Sequence, residues 1–131
     1  MSEPSIPDQI RSNAELVVST FSQHSDITLA FDESGVEWLD GYIERNRASW
    51  DGPQIDGLVN TLGSFLGECI VQTHGGQWAG IDGQYGVQFD ARNAAFPFNK
   101  IRKQMENGSE DSILSYFTII PTVFKLDSAS E

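Results

Sequence analysis

Few side chains in this chain suit bond-making chemistry, and their spacing limits what they can do. Among 131 residues there are two histidines, His24 and His74, and one cysteine, Cys69. Zinc sites draw on Cys or His paired at short spacing, and no such pair occurs. The acidic segments Asp32-Glu33-Ser34 and Asp82-Gly83 fall short of the alternating carboxylates, closed by Gly and Glu, that hold hard cations. No metal and no cofactor is expected. Cys69 stands in the middle of an apolar helical run, where a thiol behaves as a small core group rather than a nucleophile. His74 is the best acid–base candidate, because a helix C-terminus favours imidazolium and neighbouring glycines leave the ring accessible. Glu68, Asp90 and Arg92 are candidate catalytic accessories near it. No Ser or Cys nucleophile is set beside His74, so a capping or exposed histidine is the commoner outcome of that position.

Two glycine clusters, Gly75-Gly76 and Gly80-x-x-Gly83-x-x-Gly86, invite comparison with phosphate-binding loops. Such loops sit between a strand and a following helix so that amide dipoles converge on the anion; these end a helix and shape a hairpin. Recognition chemistry is better represented. On the second predicted helix Trp38, Tyr42 and Arg45 fall at i, i+4 and i+7, away from the Val36, Leu39 and Ile43 stripe, and these residue types are enriched at interface hot spots. Glu37, Asp40 and Glu44 are expected to ring them with negative charge. The rings fit two readings, a second packing layer or a partner surface. Lys100, Arg102 and Lys103 make a local basic patch that could pair within the chain or hold an anionic ligand.

Charge narrows the partners. Nineteen acidic residues against eight basic ones leave −11 at pH 7. Residues 1–60 hold 11 acidic and 3 basic side chains, a net of −8, and residues 61–131 hold 8 and 5, a net of −3. Such a surface repels phosphate backbones and anionic membranes and attracts cationic partners, so nucleic acid is not an expected partner and a basic protein is. No apolar run approaches the roughly 20 residues of a membrane helix. The first ten residues have neither a basic nor an apolar signal region, and one cysteine makes no internal disulfide, so a cytoplasmic location is expected.

The elements that must position these groups follow from periodicity. Ile10, Ala14, Val17, Val18 and Phe21 predict a first helix from Pro7 to about Ser22. Ser25–Phe31 reads as an extended connection or a packed loop. Ser34 and Glu37 form a capping-box pattern opening a second helix that runs to about Ala48. After the Trp50-Asp51-Gly52-Pro53 turn, apolar residues from Ile55 to Thr73 keep the 3.6-residue period for more than five turns, the strongest element in the chain. Its glycines Gly57, Gly63 and Gly67 each cost about 1 kcal/mol of helix propensity, which implies a packing reason; Gly63 and Gly67 share one flank. Beyond Gly75-Gly76 the period drops to 2, giving a hairpin around Asp82-Gly83 and a short third strand at Ala94–Phe96. Pro97 opens a fourth helix closing at Asn107-Gly108. Ser109 caps a last helix that Pro121 stops.

The stretch from Thr61 to Ser112 contains Leu62-Gly63, Leu66-Gly67-Glu68, Gly75, Gly76, Trp78, and Phe96-Pro97 leading to Ile101, Lys103 and Asn107-Gly108. In these features, over about 40% of the chain, it resembles the bacterial domain of unknown function 3806 and its relatives. The resemblance implies a helix-hairpin-helix α+β fold and a bacterial source, and carries over no activity. The combined expectation is one α+β domain over residues 1–131, with loose termini at about 1–6 and 127–131. It has about five helices, and a small antiparallel hairpin or three-stranded sheet lies between the third and fourth. Two functional expectations follow: a non-catalytic acidic interaction module of immunity or adaptor type, or a small enzyme or ligand-binding domain with a site near His74 and the hairpin.

Overall fold

The computed structural model describes residues 5–24 and 28–124. It contains five α-helices, α1 (Ile6–His24), α2 (Glu33–Asn46), α3 (Gly52–His74), α4 (Pro97–Asn107) and α5 (Ile113–Val123). Three strands, β1 (Gln77–Ile81), β2 (Gln84–Gln88) and β3 (Ala94–Ala95), form an antiparallel sheet in that order between α3 and α4. This is the α+β arrangement that the change of period predicts.

Helix α3 is the axis. Every residue from Leu62 to Ile70 is buried, more than two full turns, so the middle of the helix is enclosed on all sides. Helices α1, α2, α4 and α5 all touch it, and β2 leans on its C-terminal half. Close approach is possible because two glycines lack side chains. A Cβ at Gly63 would collide with the Phe98 ring, and one at Gly67 with the Trp78 indole. Gly57 has no such reason: no atom lies within 4 Å of a Cβ built there.

Several boundaries differ from the sequence-based expectation. Helix α1 already includes Ile6, which the expected loose terminus had claimed. Asp32, not Ser34, caps α2, accepting hydrogen bonds from the Ser34 and Gly35 amides at 3.0 and 3.2 Å. Helix α2 begins at Glu33, so Ser34 already lies in its first turn, and its hydroxyl donates to Asp32 at 2.6 Å. The capping box lies instead at Asp51 and Gln54, at the start of α3. Between α2 and α3 the chain tightens into a 3₁₀ turn, Arg47–Ser49. A second 3₁₀ turn, Gly108–Asp111, takes up the residues expected to open the last helix, so its cap moves from Ser109 to Ser112. Pro121 does not stop α5; it sits inside it. Of the connection from Ser25 to Phe31, residues 28–31 form no strand and Leu29 is buried, whereas 25–27 and the expected loose tail 127–131 lie outside the described residues.

Candidate interaction site

The aromatic flank of α2 is built by three elements. Trp38 and Tyr42, one turn apart, stack with their rings 5.2 Å apart and 13° from parallel. Phe21, near the end of α1, packs against both at 4.7 and 4.9 Å. Trp50, brought back by the 3₁₀ turn before α3, meets Tyr42 at 5.8 Å. All four rings are half-buried: their inner edges join the core and their outer edges form surface. The second packing layer of the first expected reading is present, and the rings keep an exposed outer edge.

What distinguishes this cluster is its polar atoms. The indole N–H groups of Trp38 and Trp50 and the Tyr42 hydroxyl make no hydrogen bond among the described residues. Trp78 shows the alternative: its indole donates at 2.9 Å to a buried carboxylate. Tyr and Trp tips usually find a partner when buried, so half-buried rings with unpaired tips mark an amphipathic surface. Beside them, Arg45 lies exposed with its guanidinium against Gly41, and Glu37 is exposed; neither makes an ion pair or hydrogen bond among the described residues.

Asp40 and Glu44 do not ring the aromatics. Asp40 is two residues beyond Trp38, about 200° around the helix, and faces α5. It accepts from the Ser112 hydroxyl and from the Leu114 amide at 3.1 Å, serving the N-terminus of that helix. Glu44 accepts at 2.9 Å from the amide of Gln104, whose own carbonyl accepts from the Ile113 N–H at 2.8 Å. Arg47 donates to the Met105 carbonyl at 3.0 Å. This polar clamp between α2, α4 and α5 went unnoticed in the sequence. Its one signal there is Gln104 beside Ile101 and Met105 on the apolar face of α4, where an amide needs partners.

Of the four catalytic candidates, Asp90 and Arg92 share the turn after β2, whereas His74 and Glu68 are engaged with other partners. His74 is half-buried at the end of α3, with Nε2 2.9 Å from the Phe117 carbonyl and its ring 4.5 Å from that of Phe117. Pro121 accounts for this: it lacks the N–H that would bond to the carbonyl four residues back, and the imidazole fills the vacancy. Burial is the main influence holding His74 below its ordinary pKa, opposed by the Phe117 hydrogen bond. Glu68 is 1% exposed and accepts from Trp78 at 2.9 Å and Gln72 at 3.4 Å, with the exposed Arg11 at 3.8 Å. Asp90 shapes the turn after β2, accepting from the Arg92 amide at 2.8 Å and from the Asn93 amide and side chain at 2.9 Å. Those donors hold its carboxyl below the usual range, the Arg92 amide foremost. Open hollows of about 390 and 560 Å³ flank Asp90, and His74 lines neither.

Elsewhere the basic patch is largely used within the chain. Arg102 pairs with Asp56 at 2.9 Å, and Lys100 lies 4.4 Å over the Tyr116 ring. Burial lowers the Lys100 pKa and pushes that of Tyr116 up to about 12. Burial also raises the Cys69 thiol far above its ordinary value, which removes the thiolate. Among the described residues no group of three or more His, Cys, Asp or Glu is placed to hold a metal ion. None of their helices is long and apolar enough to cross a membrane.

No family model, no curated protein and no solved structure matches this chain.

Proposed function

We propose that this protein is a non-catalytic interaction module of immunity or adaptor type, working in the cytoplasm, that docks a basic protein through the Trp38–Tyr42–Arg45 flank of α2. The observation that carries the reading is the set of three aromatic polar tips that make no hydrogen bond among the described residues, on an otherwise ordered, half-buried ring cluster. Phe21 and Trp50 extend the surface beyond the residues expected from the sequence, and Glu37 gives it a free carboxylate. Asp40 and Glu44 contribute to its long-range field but not to its contact, because their oxygens are engaged with Ser112, Leu114 and Gln104. The −11 charge supplies attraction to a cationic partner, and rigid rings supply the short-range affinity. The resemblance to the bacterial domain of unknown function 3806 belongs to the same proposal, as the lineage in which such a module would be found.

The test is affinity capture of a basic partner followed by kinetics. Trp38→Ala should raise the off-rate and cost about 2 kcal/mol or more, roughly 30-fold in affinity. Glu37→Gln should mainly slow association and flatten its salt dependence. A partner that binds Trp38→Ala as tightly as the parent would dispose of this surface. The other expectation, a small enzyme or ligand-binding domain near His74 and the hairpin, has less support, since the His74 Nε2 is committed to Phe117 and lines neither hollow beside Asp90.

A further inference from the structure

Strand β1 is an outer strand of the sheet, and the hairpin register says which of its main-chain groups are free. A two-residue turn at Asp82-Gly83 makes Ile81 and Gln84 a hydrogen-bonded pair. Bonded pairs alternate along an antiparallel ladder, so Ala79 with Gly86 and Gln77 with Gln88 are bonded too. The N–H and C=O groups of Trp78 and Gly80 therefore point away from β2. The same alternation aims Val87 and Phe89 toward β3, and the Phe89 amide indeed donates to the Asn93 carbonyl at 2.8 Å. Neither Trp78 nor Gly80 makes a main-chain hydrogen bond to any other element among the described residues.

Protected edges carry a lysine, a proline, a bulge or a covering segment. The sequence Gln77-Trp78-Ala79-Gly80-Ile81 has no charge and no proline, and its register is unbroken. An open hollow of about 390 Å³ adjoins it, lined by Gly76, Gln77, Ala79, Gln88, Phe89 and Asp90. No lysine or arginine occurs in the sequence between Arg47 and Arg92, Asp82 and Asp90 follow the two long strands, and Arg92 stands beside Asp90. We propose that the free edge of β1 accepts an extended, cationic segment of a partner protein as a fourth strand. Its main chain bonds to Trp78 and Gly80, alternate side chains enter the hollow, and a Lys or Arg beside the hairpin turn meets Asp82. A second copy of this chain is a poor occupant. Antiparallel pairing about Ala79 would set Asp82 of each copy toward the Asp90 end of the other, between two chains of −11. The inference does not rest on the α2 surface.

The experiment uses the full chain, labelled for amide exchange, with a blocked synthetic peptide Lys-Thr-Val-Thr-Val-Thr-Lys and its Glu-ended counterpart as probes. With the Lys peptide at about ten times its dissociation constant, exchange at Trp78 and Gly80 should slow about tenfold. The Glu peptide should leave it unchanged. Gly80→Pro should abolish the effect, because its N–H faces outward and a side chain there meets only the Tyr85 ring at 3.6 Å. Gly80→Lys, which keeps the N–H but adds a cation, is a second variant with the same expected loss. Trp38→Ala should leave the protection intact, which separates this result from the fate of the α2 surface. Three outcomes overturn the inference: no slowing at saturating peptide, perturbation confined to α2, or protection of β1 that grows with protein concentration in the absence of peptide.

Discussion

The Phe117 carbonyl shows how one residue type dictates another far away in the chain. Proline at 121 removes a helix donor, and His74, forty-three positions back, supplies one. An imidazole can do this while neutral, with the proton on Nε2, and burial favours that neutral form. The linkage has a definite sign. The folded-state pKa lies below the unfolded value of about 6.5, so the unfolded chain binds more protons between the two. The contribution is full above about 6.5 and is lost as pH falls through the folded-state value. Stability measured in urea should therefore fall from pH 7 toward pH 5, and His74→Gln, whose amide reaches the same carbonyl without titrating, should lose less over that range. Equal slopes for parent and variant would show that His74 titrates alike in both states. The sequence alone exposes both residues but not their meeting, because the pairing depends on how α3 and α5 cross.

Elements were legible where periodicity is long, and their ends were not. Helix α3 announces itself over more than five turns, and the Asp82-Gly83 hairpin through its turn chemistry, with φ of 51° and 85° at those two residues. Caps are set by competition between neighbouring side chains, so Asp32 displaced Ser34 and Ser112 displaced Ser109. The glycines of α3 give a paired prediction. Gly67→Ala places a methyl group into the Trp78 indole, and the resulting overpacking should cost about 1 to 3 kcal/mol, more than the gain in helix propensity. Gly57→Ala meets nothing within 4 Å and should stabilise by about 0.4 to 1 kcal/mol. Thermal denaturation of the two variants should move in opposite directions. A further element-scale test is Gln104→Leu, which leaves the buried Ile113 N–H without its acceptor and should cost about 1 to 3 kcal/mol.

At the scale of the whole molecule, the charge of −11 and its concentration in the first 60 residues can be read directly from the sequence. Which carboxylates are spent internally cannot, because α2 offers Glu37 to water and Asp40 and Glu44 to α4 and α5 with nothing but helix phase to separate them. That division makes salt a useful probe. The Debye length shrinks from about 30 Å at 0.01 M to about 8 Å at 0.15 M ionic strength, a change felt by the diffuse self-repulsion of exposed acids far more than by the hydrogen-bonded ones. Raising salt across that range should therefore raise the melting temperature while slowing association with a basic partner. Glu37→Lys should reduce both effects together, since it removes free negative charge at the proposed docking surface without touching the Asp40 and Glu44 clamp. Trp38→Ala should alter neither salt slope and act on dissociation alone. If the melting temperature falls with salt over this range, paired charges rather than repulsion dominate the surface, and the attraction invoked for a cationic partner loses its source.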